Sequence, residues 1–257
     1  MSLAKSILFC SALLAFVADA SAVVMNWSYV GNSGNAADQS FNGDPAFGAV
    51  GYTYNIGTYD VTVSQYAEFL NTKNPTGVDF LGLFPGNLNA PFEGIRYVDN
   101  APSGSHYTVA FGFANFPANY VTWYDAIRFA NWMNNGQGNG DTETGAYTLG
   151  ALDGNGHPLN PPLTHNPGAK IWLPTENEWY KAAYNIPGTN SYFQYPSNNG
   201  LNMAPSYPTN VPNSANYGAL FGPGRPTDVG AYSGSPSLYG AFDMGVTRIP
   251  LGRRAPV

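Results

Sequence analysis

The sequence predicts an α+β domain with unusually little regular secondary structure. Three stretches with helical spacing of apolar residues alternate with short strand-like runs. The 257 residues include 30 glycines and 21 prolines, which is high for a globular protein and indicates many turns. Hydrophobic residues make up 44% and aromatic residues 15% of the chain, enough to build a sizeable core and to exclude disorder.

The scarcity of charge excludes several classes of protein. Only 10% of the residues are charged, and the formal net charge is -6. A coiled coil is excluded because charges are few while glycine and proline are frequent. A nucleic-acid-binding protein is also excluded, since phosphate contacts need clustered lysine and arginine, and no such cluster precedes the last residues.

Residues 1–22 are predicted to be a signal peptide. Lys5 supplies the positive end, and the apolar run from Ile7 to Val17 is too short to cross a bilayer as a helix. Ala20 and Ala22 have the small-x-small spacing of a cleavage site. We therefore expect cleavage after Ala22 and export, with no transmembrane segment in the mature chain; a buried N-terminal helix is the alternative. The protein would be secreted, periplasmic or attached to the cell surface.

The first helix is predicted to begin at Thr62, the second at Thr122 and the third at Thr175. Each threonine stands three residues before an amide or acidic side chain, in the pairs Thr62 with Gln65, Thr122 with Asp125, and Thr175 with Glu178. In this capping box the hydroxyl accepts from a first-turn N–H while the second side chain binds the cap N–H. Gly136 is placed to end the second helix.

Five short runs are predicted to be strands. They are Val50–Ile56, Ile95–Val98, Tyr107–Phe111, Tyr147–Leu149 and Lys170–Trp172. The second and third are expected to form a hairpin with a longer loop. Residues 185–237 are rich in Asn, Pro, Gly, Ser and Tyr, and we predict an ordered loop region there.

Most of the residues that could take part in catalysis or metal binding have a structural explanation. Glu176 and Glu178 stand in a predicted first helical turn, where the helix dipole stabilises negative charge, so we favour a cap over a catalytic pair. His106, His157 and His165 lie in predicted loops without the spacing of a helical metal motif.

Two Asp- and Asn-containing loops could ligate Ca²⁺ through oxygen atoms. One contains Asn139, Asp141 and Glu143, and the other contains Asp153 and Asn155. Neither matches a complete calcium loop, so turn formation is the favoured interpretation.

An ordered series of motifs identifies a family. They occupy Val30–Asn32, Ile56–Thr62, Gln65–Asn71, Tyr120–Ala126, Phe129–Trp132, Thr142–Tyr147 and Trp172–Trp179. With these motifs, between Val30 and Met244, the chain resembles the formylglycine-generating enzymes, also called sulfatase-modifying factors, and most of all their exported bacterial branch.

The resemblance implies a single domain over residues 23–245, with a variant of the C-type-lectin-like fold. It also implies bound Ca²⁺ and an activity that oxidises a sulfatase cysteine to formylglycine. Active members use O₂ and a copper ion that is held by a pair of cysteines. The family's partner is accordingly a sulfatase-type polypeptide.

The sequence departs from the family pattern after residue 245. Residues 246–257 form a basic tail, and neither the Arg-Gly-Gly-Ser run nor the cysteine pair is recognisable. We expect an aberrant C-terminus such as a frameshift would produce, with the last part of the domain missing. Cys10 is the only cysteine, so we expect no catalytic residues and no copper ligands in the mature chain. Asn216 matches a family calcium ligand, but no acidic partner is recognisable in residues 221–226.

Two hypotheses of function follow. The first is enzymatic, an exported oxidase of the sulfatase-modifying-factor type; the motifs support the family, whereas the missing cysteines argue against the activity, so we expect an inactive member. The second is a non-catalytic module of the same fold that binds a peptide or a glycan, since the chain is rich in Asn, Tyr and Trp.

Overall fold

Three short helices and three two-stranded sheets make up the regular structure of the described residues. The computed structural model describes residues 22–39, 46–84, 94–217, 220 and 225–245. The elements are β1 (Trp27–Val30), β2 (Tyr54–Gly57), α1 (Val63–Lys73), β3 (Ile95–Tyr97), β4 (Tyr107–Val109), α2 (Trp123–Asn134), α3 (Glu176–Tyr184), β5 (Ala204–Pro205) and β6 (Ser214–Ala215). The α+β prediction is confirmed. The predicted signal peptide before Ala22 and the tail at 246–257 lie outside the described residues.

All three predicted capping boxes are formed. In α1 the Gln65 N–H donates to Thr62 Oγ1 at 3.2 Å, and Gln65 Oε1 accepts from the Thr62 N–H at 2.9 Å. Complete boxes also begin α2 and α3. Each helix starts one residue after its threonine, because the threonine keeps an extended backbone while its side chain satisfies a first-turn donor. Gly136, with φ of +83°, follows the C-cap of α2 as expected.

The sheets are small and mostly antiparallel. Strands β3 and β4 form the predicted hairpin, in which Arg96 pairs with Thr108. Strand β1, which the sequence reading missed, pairs antiparallel with β2 and places Tyr29 opposite Asn55. The two-residue strands β5 and β6 run parallel.

Two predicted strands were wrong. The Tyr147 N–H donates to Asn131 Oδ1 at 2.6 Å, and the Lys170 N–H donates to Asn134 Oδ1 at 2.7 Å. These backbone groups are thus bonded by side chains of α2 instead of by a neighbouring strand. The Val50–Ile56 prediction was too long at its start, because the Val50 N–H bonds to a side-chain oxygen before β2 begins.

The core consists of three apolar clusters. The first joins α1, α2 and the β3–β4 hairpin, with Phe69 and Trp132 at a ring separation of 5.2 Å. The second cluster joins the β1–β2 sheet to α3 and to residues 241–244; its buried members are Val30, Val50, Tyr54, Ile56, Ala182, Ala183, Ala241 and Met244. The third lies between α2 and residues 146–149. No helix in the described ranges combines the length and the apolar character that a membrane crossing requires.

Candidate functional site

The two glutamates in the first turn of the third helix differ in their exposure to solvent. Glu176 is exposed, whereas Glu178 is 1% exposed. The Glu178 carboxylate accepts from the Thr175 N–H at 2.7 Å, from Trp172 Nε1 at 3.1 Å and from the Tyr52 hydroxyl at 3.0 Å. With its acceptor sites occupied by these donors, Glu178 is a structural cap, as the sequence indicates.

The three histidines lie apart from one another. The His106 ring is buried and bonds through Nδ1 to a backbone carbonyl at 2.9 Å. His157 stacks on Tyr124 at 4.3 Å, and His165 stacks on Trp172 at 4.5 Å. Over the described ranges, no three or more His, Cys, Asp or Glu residues are grouped so that they could hold a metal ion.

The two acidic loops use their carboxylates to form turns. Asp141 accepts from the N–H groups of Glu143 and Thr144 at 3.1 and 3.0 Å. The Thr144 hydroxyl, followed by these backbone bonds, lowers the pKa of Asp141. Asp153 accepts from the Asn155 N–H at 2.8 Å in the same way. The favoured turn interpretation agrees with these contacts.

The family resemblance predicts that Asn216 is a Ca²⁺ ligand. The side chain is half-buried, and its Nδ2 donates to the Arg225 carbonyl at 2.9 Å. Calcium takes six to eight oxygen ligands, and the described residues do not by themselves provide such a set here. Residues 221–224, where the family pattern places the acidic partner, lie outside the described residues. The Asn216 site stays a prediction.

The described residues offer less support for a copper site than for the calcium site at Asn216. The family holds it with thiolates, and Cys10 lies before the first described residue. Imidazoles and methionine thioethers can also bind copper, but the three imidazoles are engaged separately, one in a hydrogen bond and two in ring stacking. Among the residues that the structure describes, the donor set therefore lacks the thiolates of the family's copper centre.

A broad cavity of about 630 Å³ opens beside the start of α1. It is lined by Val24, Met25, Asn26, Tyr59, Asp60, Thr62, Gln65, Asn115, Pro208, Asp228, Val229 and Ala231. These residues come from the N-terminal segment, from the turn between β2 and α1, and from three loops farther along the chain. The cavity is the candidate functional site.

The cap of α1 also builds one wall of the cavity. While Gln65 Oε1 binds the Thr62 N–H, Gln65 Nε2 donates to the Val24 carbonyl at 2.8 Å. The Thr58 N–H then donates to the Asn26 carbonyl at 2.8 Å. Residues 24–26 are thus held along the cavity by two successive hydrogen bonds.

The loop at 228–231 forms another part of the lining. Its Val229 N–H donates to the Asn115 carbonyl at 2.9 Å, and its Gly230 N–H donates to Asp243 Oδ2 at 2.7 Å. Burial raises the pKa of Asp243 to about 6, while the Gly230 hydrogen bond acts in the opposite direction. Gly230 has φ of +68°, and a Cβ there would lie 2.4 Å from the Tyr59 ring. Only glycine lets this loop approach Tyr59 so closely.

The cavity lining has a consistent chemistry. Asn26, Asn115 and Asp228 are exposed, so their amide and carboxylate groups are available at the cavity. Tyr59 adds an aromatic ring, which is stacked on Phe242 at 5.3 Å. The described lining contains no lysine, arginine, histidine or cysteine. Amides, the carboxylates of Asp60 and Asp228, and a ring suit a ligand with several hydroxyl groups.

The sequence reading missed this site. Its residues come from distant parts of the chain, and none forms a local motif of binding chemistry. The one available signal was the position of Tyr59, Asp60 and Thr62 within the Ile56–Thr62 motif.

Comparison with known proteins assigns the chain to a family. The sequence profile of the sulfatase-modifying factor enzyme 1-like domain matches residues 30–245. A solved structure titled "Crystal Structure of CarF" shares 20% sequence identity, with a TM-score of 0.47, and the alignment covers 86% of this chain and 77% of that chain. Among curated proteins, the comparison finds no match.

Proposed function

Because this chain belongs to the family of the sulfatase-modifying factor enzyme 1-like domain, we propose that it is a non-catalytic member that binds a glycan. The supporting observation is the cavity of about 630 Å³, at which Asn26, Asn115 and Asp228 are exposed beside the Tyr59 ring. Adjacent sugar hydroxyls would donate to the carboxylate and exchange hydrogen bonds with the amides. The described lining contains the carboxylates of Asp60 and Asp228 and no cationic side chain, so it disfavours anionic ligands and offers acceptors to hydroxyl groups.

Binding by the cavity is tested by titration calorimetry with an oligosaccharide selected on a glycan array. Asp228→Asn and Asn115→Ala are each expected to weaken binding about fivefold, as loss of one hydrogen bond predicts. Asn198→Ala is the matched control, because Asn198 is equally exposed and lies outside the cavity lining. A peptide array is screened in parallel, and binding of peptides without glycans would show that the ligand is a peptide instead of a glycan. If the folded protein binds nothing on either array, the proposal is refuted.

The family's oxidase activity is not expected from these residues. Oxidation of the substrate cysteine implies thiolate-held copper, and Cys10 in the predicted signal peptide is the only thiol of the chain. Purified protein incubated with copper, O₂ and a sulfatase-motif peptide should yield no aldehyde. A stoichiometric aldehyde yield, detected by hydrazide labelling, would contradict this part of the proposal.

Export and calcium binding complete the proposal. The features of residues 1–22 support export, which cell fractionation would test. The match of Asn216 to a family ligand supports a calcium site. If the site exists, Ca²⁺ should raise the melting temperature of the wild-type protein but not that of Asn216→Ala.

A further inference from the structure

The residues that follow the predicted cleavage position are anchored at once. Ala22 is exposed, whereas Val23 is 8% exposed and belongs to the first core cluster. The Val23 N–H donates to Gln137 Oε1 at 2.7 Å, and Gln137 Nε2 donates to the Val23 carbonyl at 2.9 Å. One side chain therefore holds both polar backbone groups of Val23.

Gln137 is itself fixed by the end of α2. Its N–H donates to the Trp132 carbonyl at 2.9 Å, which closes the turn after the helix. Its φ of +64° is unfavourable for a residue with a Cβ atom. The turn after the helix thus places Gln137 in a left-handed backbone conformation, and from there its side-chain amide bonds to the backbone of Val23.

The peptide bond that is predicted to be cleaved is the one whose N–H donates to Gln137 Oε1. Signal-peptide cleavage adds water across the bond between Ala22 and Val23, leaving a carboxylate on Ala22 and an amino group on Val23. Since an α-amino group has a pKa near 8, it is an ammonium at neutral pH. The N–H that meets Gln137 Oε1 in the structure would then belong to a charged donor, which makes a stronger hydrogen bond.

We infer that Gln137 is a docking site for the free amino terminus that cleavage after Ala22 creates, and that the docked segment completes the ligand cavity. Val24, Met25 and Asn26 follow the anchored residue and line the cavity. Gln65 holds the Val24 carbonyl, so the segment is fixed at two successive residues. The first half of this inference rests on the proposed export, and the second half rests on the proposed binding function as well.

The first experiment tests the terminus itself. The full-length chain is exported from a bacterial host, and its intact mass is measured. The expected mass is that of a chain starting at Val23, and any other start would overturn the inference. The α-amine of this protein is then acylated near neutral pH, where it reacts before lysine. Docking predicts slower labelling in the native state than in urea, whereas equal rates would overturn docking without the need for any variant.

The second experiment assigns the docking to Gln137. Gln137→Leu removes both hydrogen bonds and should speed native-state labelling about tenfold. Gln194→Leu is the matched control, since Gln194 is an exposed glutamine outside this contact, and it should leave the rate unchanged. If Gln137→Leu does not fold, Gln137→Glu keeps the acceptor for the ammonium and should retain protection. An unchanged rate in a folded Gln137→Leu variant, or lost protection in Gln137→Glu, would refute the assignment.

The third experiment concerns the cavity. Gln137→Leu should weaken glycan binding about fivefold, since one wall loses its anchor. Unchanged affinity would separate docking from the cavity and overturn the second half of the inference. A wild-type protein that binds no ligand would refute the proposed function, while the mass and labelling results would still decide the docking.

Discussion

Arg128 and Glu143 form a bidentate ion pair on the buried side of α2, with Nε to Oε1 at 2.7 Å and Nη2 to Oε2 at 3.1 Å. The Arg128 side chain is 1% exposed, and that of Glu143 is 30% exposed. Arg128 Nη2 also donates to the Gly156 carbonyl at 2.7 Å. Glu143 therefore neutralises a guanidinium that has almost no access to water.

Removing the negative charge of Glu143 should lower the free energy of unfolding substantially. Glu143→Gln leaves the Arg128 charge buried without a counter-ion, and we expect the free energy of unfolding to fall by about 3 kcal/mol. Urea unfolding measures the change, with Glu176→Gln as a control at an exposed glutamate. If Glu143 were instead a calcium ligand, the loss would appear only when Ca²⁺ is present.

The cap of α3 offers a milder test. Thr175 Oγ1 accepts from the Glu178 N–H at 3.2 Å and donates to Glu178 Oε2 at 2.8 Å. Thr175→Ala should lower the free energy of unfolding by about 1–2 kcal/mol, because a first-turn donor loses its partner. Thr175→Ser keeps the hydroxyl and should restore most of the loss. Equal destabilisation by both substitutions would mean that the hydroxyl is not the stabilising group.

The three helices could be predicted because their starting signals are local. A threonine and a side chain three residues later, as in Thr62 and Gln65, contain all the groups that form the box. Strand β1 was missed because Trp27–Val30 is short and acquires its partner only through pairing with β2. Tyr147 was wrongly assigned to a strand because its N–H is satisfied by the distant side chain of Asn131.

The cavity could not be predicted for a related reason. Asn26, Asn115 and Asp228 lie on separate loops, and hydrogen bonds between those loops bring them together. Asn and Asp are common turn residues, so their sequence positions give no sign of a binding role. Tyr59 lies within the Ile56–Thr62 family motif, but that motif gives no reason to connect it with residue 228.

Gly230 should be intolerant of a side chain. Gly230→Ala places a methyl group 2.4 Å from the Tyr59 ring, and we expect about 1–3 kcal/mol of destabilisation beyond the cost of the left-handed backbone. Gly34→Ala is the matched control, since Gly34 has φ of +78° and nothing within 4 Å of an added Cβ. Similar losses in the two variants, measured by thermal or urea unfolding, would show that contact with Tyr59 is unimportant.

Asp243 should make stability depend on pH. Its pKa is raised by burial from 3.8 to about 6, so between these values the folded chain binds a proton that the unfolded chain has lost. The free energy of unfolding contributed by this group therefore falls as pH rises through that window, by up to about 3 kcal/mol, and stays level above it. Burial also raises the pKa of Asp125 to about 6, which adds a contribution of the same sign.

The substitution Asp243→Asn separates the contribution of Asp243 to the pH dependence from that of Asp125. The amide oxygen can still accept from the Gly230 N–H, but the buried charge is removed, so the decline between about pH 4 and 6 should become smaller. Urea unfolding over this range measures it. Asp153→Asn is the control, because backbone hydrogen bonds from His157 and Asn155 lower the pKa of Asp153. An unchanged decline in Asp243→Asn would contradict the prediction.

The second core cluster has a consequence for the timing of folding. It packs Val30 and Ile56, near the beginning of the chain, against Ala241 and Met244, near the end of the described residues. As the chain is synthesised and leaves the ribosome, the apolar face of the β1–β2 sheet lacks the cover from α3 until residues 182–183 have been made, and it lacks the rest of this cover until residues 241–244 have been made. Contacts between such distant segments form slowly because a long loop must close first. We therefore expect that face to be the surface that a chaperone protects while synthesis is still under way.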